Sequence, residues 1–128
     1  MKDIPQRIND ITQAIIGAAI EVHRQLGPGF IESTYQKALG IELDIRGISF
    51  EAEFPIQLCY KGRPIGDSRM DLLVEQQVVV ELKAVEKLAA IHKAQVISYL
   101  KAADRNVALL INFNVEVLRD GIKRVVLT

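Results

Sequence analysis

Two opposite charges, Glu81 and Lys83, end the apolar run Val78-Val79-Val80-Glu81-Leu82-Lys83. Upstream lies a second apolar segment with one carboxylate, Met70-Asp71-Leu72-Leu73-Val74. Burying a charge is costly unless it is paired or bound to a metal. Two carboxylates and a lysine on neighbouring strands are what a divalent cation and an activated water need. The competing reading is an ion pair between Glu81 and Lys83 on a half-exposed strand. Glu32 is a further candidate: it points into a site beside the sheet, or it only complements the dipole of a helix start. His92, Gln95 and Tyr99 follow one another at about one helical turn, either as donors aimed at a phosphate or as the polar edge of a packed helix.

The elements that position these residues follow from periodicity. Ile8, Ile11, Ile15, Ala18, Val22 and Leu26 predict a helix over about residues 8–26, capped by Asn9 or Asp10 and stopped by Gly27-Pro28. Glu21, His23 and Arg24 fall on its expected solvated face, and Gly17 offers a close approach to another element. Tyr35, Leu39 and Leu43 mark a second helix over 31–46, with Gly47 as its stop. A strand over 48–54, a break at Pro55, and an alternating strand over 56–60 come next. After the turn Lys61-Gly62-Arg63-Pro64, residues 65–74 form a longer strand. Alternation puts Arg69, Asp71 and Leu73 on one face, and Met70, Leu72 and Val74 on the other.

Three adjacent valines favour the strand conformation at 78–83. Glu75-Gln76-Gln77 is short enough to make it antiparallel to the preceding strand. A turn centred on Gln76 sets Asp71 opposite Glu81, where side chains share a face with Cβ atoms ~5 Å apart. Two carboxylates so placed repel unless a cation lies between them. A helix over 88–103 leads to the apolar strand 107–113, so strand, helix and strand form a parallel βαβ unit. The last residues, 115–118 and 123–127 about a turn at Arg119-Asp120-Gly121, read as a small edge hairpin.

Composition narrows the function classes. The 128 residues suit one domain, spanning 1–128. Sixteen basic residues balance 16 acidic ones, which excludes the global positive field of a strong non-specific nucleic-acid binder. A nucleic-acid site here must be local or metal-dependent. The single cysteine, Cys59, excludes an internal disulfide and a multi-cysteine metal site, and fits a reducing cytoplasm. Met1-Lys2-Asp3-Ile4-Pro5 does not read as an export leader, and no apolar run approaches the ~20 residues that span a membrane.

Glu32, Asp71, Glu81-x-Lys83 and Gln95-x-x-x-Tyr99 together resemble the PD-(D/E)XK nuclease superfamily, in its RecB-like branch. Gly29-x-x-Glu32-x-x-Tyr35 is similar to the motif of the bacterial GxxExxY family. Asp71-Leu72-Leu73-Val74, Glu81-Leu82-Lys83-Ala84, Gln95-x-x-x-Tyr99-Leu100 and Ile111-Asn112-Phe113-Asn114 extend the likeness over about residues 15–126. The chain departs from the pattern at Met70, where a proline usually precedes the aspartate.

The resemblance implies an α/β fold: a restriction-endonuclease-like core with a mixed central sheet, antiparallel hairpin plus βαβ unit, flanked by helices. It implies a phosphodiesterase acting on nucleic acid, DNA ahead of RNA, with Mg²⁺ or Mn²⁺. Asp71, Glu81 and the Leu82 carbonyl would be metal ligands. Glu32 would be an outer or second-metal carboxylate. Lys83 would orient the water or stabilise the growing charge, and Gln95 and Tyr99 would position the strand or Lys83. Two other readings compete. One is a non-catalytic module that keeps the fold to bind a nucleic acid or protein. The other is a domain whose charges form a buried network. The apolar C-terminal hairpin offers an edge for a homodimer.

Overall fold

The computed structural model describes residues 4–127. The reading of no export leader rests partly on Met1-Lys2-Asp3, which lie outside the described residues. Two helices come first, α1 (Gln6–Leu26) and α2 (Glu32–Ile45). Strands β1 (Phe50–Tyr60), β2 (Arg63–Val74) and β3 (Val78–Lys83) follow, then α3 (Ala90–Ala103) and β4 (Val107–Asn112). A 3-10 turn, Leu118–Gly121, leads into β5 (Ile122–Val126). The strands form one sheet in sequence order, antiparallel except for the β3–β4 pair, which is parallel. This is the expected mixed sheet.

Each face of the sheet carries its own apolar core. Leu72, Val74, Val78, Val80, Leu82, Leu109 and Ile111 pack against Ile15, Ala18 and Val22 of α1 and Tyr35, Leu39 and Leu43 of α2. Leu73, Val79, Ala108 and Leu110 pack against Val96 and Leu100 of α3 on the other face. With helices on both sides, every residue of β4 and all of β3 except Lys83 is buried. That explains their unbroken apolar runs. Each fully buried Leu or Val contributes ~2 kcal/mol, so the centre of the sheet is where this fold is held.

The β2–β3 register is Leu72↔Val80, Leu73↔Val79 and Val74↔Val78, as a turn centred on Gln76 requires. Glu75 and Gln76 take φ of 52° and 58°. Two consecutive left-handed residues make the turn whose twist matches a β-hairpin.

Alternation fails at one place. Leu72 and Val74 lie on the α1/α2 face, but Met70 joins the α3 core. Across the pair, Phe50 packs on the α1/α2 face, while Phe54 and Ile56 pack on the α3 face. The shared face expected for Met70, Leu72 and Val74 is therefore corrected. The register runs Ala52↔Leu72, then Phe54↔Met70, with Glu53 and Asp71 unpaired between them. Glu53 has φ 54°, a left-handed conformation that costs a non-glycine residue ~1 kcal/mol. The β1–β2 ribbon has a crook here, and Asp71 sits in it.

Other expectations are corrected by the structure. Pro55 does not break the strand: it pairs with Arg69 inside β1. β1 is the sheet edge, where a missing N–H is tolerated. Neither Asn9 nor Asp10 caps α1, which starts after Pro5, whose carbonyl accepts from the N–H groups of Ile8 and Asn9. His23 is buried rather than solvated, with Nε2 2.7 Å from the Val115 carbonyl. The close approach at Gly17 comes from the Arg46 side chain, 3.2 Å from where a Cβ would stand. The C-terminal residues form no hairpin of their own. β5 pairs with β4, whose open edge offers a longer ladder, and Leu118 is buried beneath.

Gly121 makes that last turn possible. A Cβ on it would lie 2.2 Å from the Asn112 carbonyl oxygen. Backbone cannot give way as a flexible side chain does. Gly121→Ala is expected to destabilise the protein by about 3 kcal/mol or more, seen as a lower urea midpoint with an unchanged slope.

Candidate active site

β2 and β3 stop pairing after Leu72↔Val80, and two side chains take over from the ladder. The Glu81 carboxylate accepts from the Asp71 N–H through Oε1 at 2.8 Å. The Asp71 carboxylate accepts from the Leu82 N–H through Oδ2 at 2.7 Å. These crossed bonds hold both carboxylates side by side where the strands diverge. Asp71 Oδ1 and Glu81 Oε2 take no part in these two bonds. The crook at Glu53 and Asp71 is what takes Asp71 out of the regular pleat.

This pair is electrostatically unsettled. Glu81 is only 4% exposed. Burial, and then the neighbouring Asp71 charge, push its carboxyl up to about 8. Burial also raises Asp71, against the opposing bond from the Leu82 N–H; the charges of Glu32 and Glu53 add to the rise. Lys83 acts the other way on both, but less than burial does. It makes no contact ion pair with Glu81. Among the described residues the ion pairs are Glu21–Arg24 and Glu42–Arg46. The Lys83 ammonium instead donates to Gln95 Oε1 at 3.3 Å.

The flanking elements bring other residues in. Glu32 begins α2 and is exposed; its charge reaches both Asp71 and Glu81. One turn on, Gln36 Nε2 donates to the Asp71 carbonyl at 3.3 Å. Tyr35 does not enter the site. It stacks on Phe113 with ring centres 4.4 Å apart. Its hydroxyl donates to the Gly27 carbonyl and accepts from the Phe30 N–H. In Gly29-x-x-Glu32-x-x-Tyr35 the tyrosine thus fastens the loop that presents Glu32.

On α3, Tyr99 is turned away from Lys83, its hydroxyl accepting from Ser68 Oγ at 3.1 Å. It ties the helix to β2 three residues before Asp71. His92 accepts from the Ala89 N–H through Nδ1 at 2.9 Å and serves as the helix cap. Of that row of three, only Gln95 meets the site.

Gln36 and Glu53 escaped the sequence reading, and Asn112 entered it only within Ile111-Asn112-Phe113-Asn114, with no role of its own. Asn112 is 2% exposed. Its side chain accepts from the Val85 and Asn114 N–H groups and donates to the Val85 carbonyl. Beside it, the Phe113 N–H donates to the Lys83 carbonyl at 2.9 Å. β4 therefore clamps the chain on both sides of Ala84 and fixes where Lys83 emerges. An amide at the end of an all-apolar strand was the available signal. Gln36 was traceable as one turn from Glu32. Nothing in the sequence marks a left-handed glutamate.

The donor set fits a hard divalent cation. Two carboxylates raised by burial, Glu81 also by the Asp71 charge, are relieved by positive charge. The ligands are oxygens, as Mg²⁺ and Mn²⁺ prefer. Among the described residues no group of three or more His, Cys, Asp or Glu side chains converges on one ion. Asp71 and Glu81 could supply two ligands to such an ion, which would leave the rest to backbone carbonyls, water and substrate, as is usual for Mg²⁺.

A family model described as PD-(D/E)XK nuclease superfamily matches residues 9–125. The chain belongs to the PD-(D/E)XK nuclease superfamily. No match is found among curated proteins. The mixed sheet with helices on both faces is the restriction-endonuclease-like fold of the PD-(D/E)XK superfamily. PD-(D/E)XK nucleases generally use divalent metal ions, and membership implies a nucleic-acid partner. Among the described residues no helix is long and apolar enough to cross a membrane.

Proposed function

We propose that this protein is a nuclease that hydrolyses phosphodiester bonds with Mg²⁺ or Mn²⁺, with DNA ahead of RNA as substrate. We assign it to the RecB-like branch and the GxxExxY family on the spacing of Glu32, Tyr35, Asp71, Glu81, Lys83, Gln95 and Tyr99. One observation carries the reading: two carboxylates are held together by crossed bonds to each other's strands, with a lysine beside them that is not paired to either.

Asp71, Glu81 and the Leu82 carbonyl would hold the cation, with Glu32 as an outer carboxylate. When bound, the cation polarises a phosphodiester oxygen and makes a water more acidic. The chain's own part is positional and electrostatic. Lys83 presents its ammonium to the phosphate, where negative charge grows as the water adds. Gln95 holds that ammonium through Oε1, and the clamp from β4 fixes its backbone. Tyr99, through Ser68, keeps α3 in register with β2. Gln36 steadies the Asp71 main chain.

The test is incubation with single- and double-stranded DNA and RNA in Mg²⁺, Mn²⁺ or EDTA. Cleavage of at least one substrate in a divalent cation, abolished by EDTA, is expected. A second reading, a non-catalytic module for a nucleic-acid or protein partner, draws on the zero formal net charge. It predicts no cleavage of any substrate and no divalent-cation binding by calorimetry.

A further inference from the structure

We infer that Glu53 is a positioning residue for the Asp71–Glu81 site, acting through its left-handed backbone rather than through its carboxylate. The inference rests on the reading of that pair as a cation site. Three observations meet at Glu53. It is a non-glycine residue at φ 54° in the middle of an 11-residue strand. The β1–β2 register omits it and Asp71 together, between two regular pairs. Both strands change faces there, Phe50 to Phe54 in one and Leu72 to Met70 in the other.

A regular strand returns to the same face at every second residue. A single left-handed residue turns the following chain by half a pleat. With a regular conformation at Glu53, Leu72 and Met70 would share a face, and Asp71 would take the opposite one in step. Its carboxylate would no longer lie beside the Leu82 N–H, nor its N–H beside the Glu81 carboxylate. The crook produces the geometry in which the two crossed bonds between Asp71 and the Glu81–Leu82 segment form.

The Glu53 carboxylate has a different effect. It is exposed, and its charge raises Asp71, opposing ionisation of a ligand rather than helping it. Strain retained at such a position marks a functional constraint.

The test separates backbone from carboxylate. Glu53→Gly and Glu53→Asn keep the left-handed conformation accessible and remove the charge. Glu53→Val removes the charge and strongly disfavours positive φ. Mn²⁺ affinity is read by calorimetry, and protection of the Leu82 and Asp71 amides by hydrogen exchange. The Gly and Asn variants are expected to bind Mn²⁺ like the parent and keep both amides protected. The Val variant is expected to bind ~10-fold or more weakly and to lose that protection. If Glu53→Val does not fold by circular dichroism, Glu53→Ala, with its milder conflict at positive φ, takes its place under the same criteria.

A Val or Ala variant with parental affinity and protected amides would overturn the inference. So would a Gly variant as impaired as the Val variant, because the carboxylate would then be responsible. If the parent itself binds no Mn²⁺, the cation reading falls. Amide exchange, which needs no metal, then decides the role of Glu53 alone.

Discussion

Lys83→Ala is expected to lower the rate of cleavage by roughly 10²–10³-fold while leaving Mn²⁺ binding nearly unchanged. Among the described residues the ammonium is bonded to Gln95 and paired with no carboxylate. Its removal therefore leaves no buried carboxylate that has lost a hydrogen bond, and the crossed Asp71 and Glu81 bonds remain. What is lost is positive charge at the phosphate, an interaction worth most in the transition state. The effect should fall on kcat more than on KM. Gln95→Ala should give a smaller loss of the same kind, since the lysine stays but is no longer held. Equal cleavage rates for Lys83→Ala and the parent would remove Lys83 from the chemistry.

The second large effect is on stability against pH. The Glu81 carboxyl stands at about 8 in the folded protein against 4.5 ordinarily. Between those values the folded protein holds a proton that the unfolded chain has released. Folding stability without metal should therefore fall as pH rises from about 4.5 to about 8, and level off above. Over that window the loss is a few kcal/mol, or a fall in melting temperature on the order of 10 °C for a chain of this size. Glu81→Gln should flatten this slope. Mn²⁺ should restore stability at pH 8 far more than at pH 5, because cation and proton compete for the same carboxylate. Thermal melts at pH 5 and pH 8, with Mn²⁺ and with EDTA, read the whole pattern. A metal-free protein more stable at pH 8 than at pH 5 would contradict it.

The sequence carried the centre of the fold well. Val78–Lys83 and Val107–Asn112 are buried on both faces, so their apolar runs were plain. The short Glu75–Gln77 connection fixed the hairpin register as far as Leu72↔Val80; beyond it Asp71 and Glu81 meet through crossed side-chain bonds rather than as the ladder pair expected from alternation. Legibility ended where a single backbone angle decides the outcome. Glu53 has no residue-type signature for positive φ, so the crook and the face change of Met70 were hidden. Pro55 reads as a break because edge position cannot be read locally. The C-terminal residues read as a hairpin because the competition from β4 acts from a distance.

Within the site, Asp71, Glu81 and Lys83 were legible because charges in apolar strands are conspicuous. Gln95 and Tyr99 share a helix edge, yet only Gln95 reaches the lysine. Tyr99 is one turn further along α3, where Ser68 is the nearer partner.

The most direct measurement compares the parent with Asp71→Ala, purified identically, on the same DNA in Mn²⁺ and in EDTA. The parent should cut in Mn²⁺ and not in EDTA, and Asp71→Ala should cut in neither. Cation-dependent cutting by Asp71→Ala at the parental rate would contradict the assignment of the site.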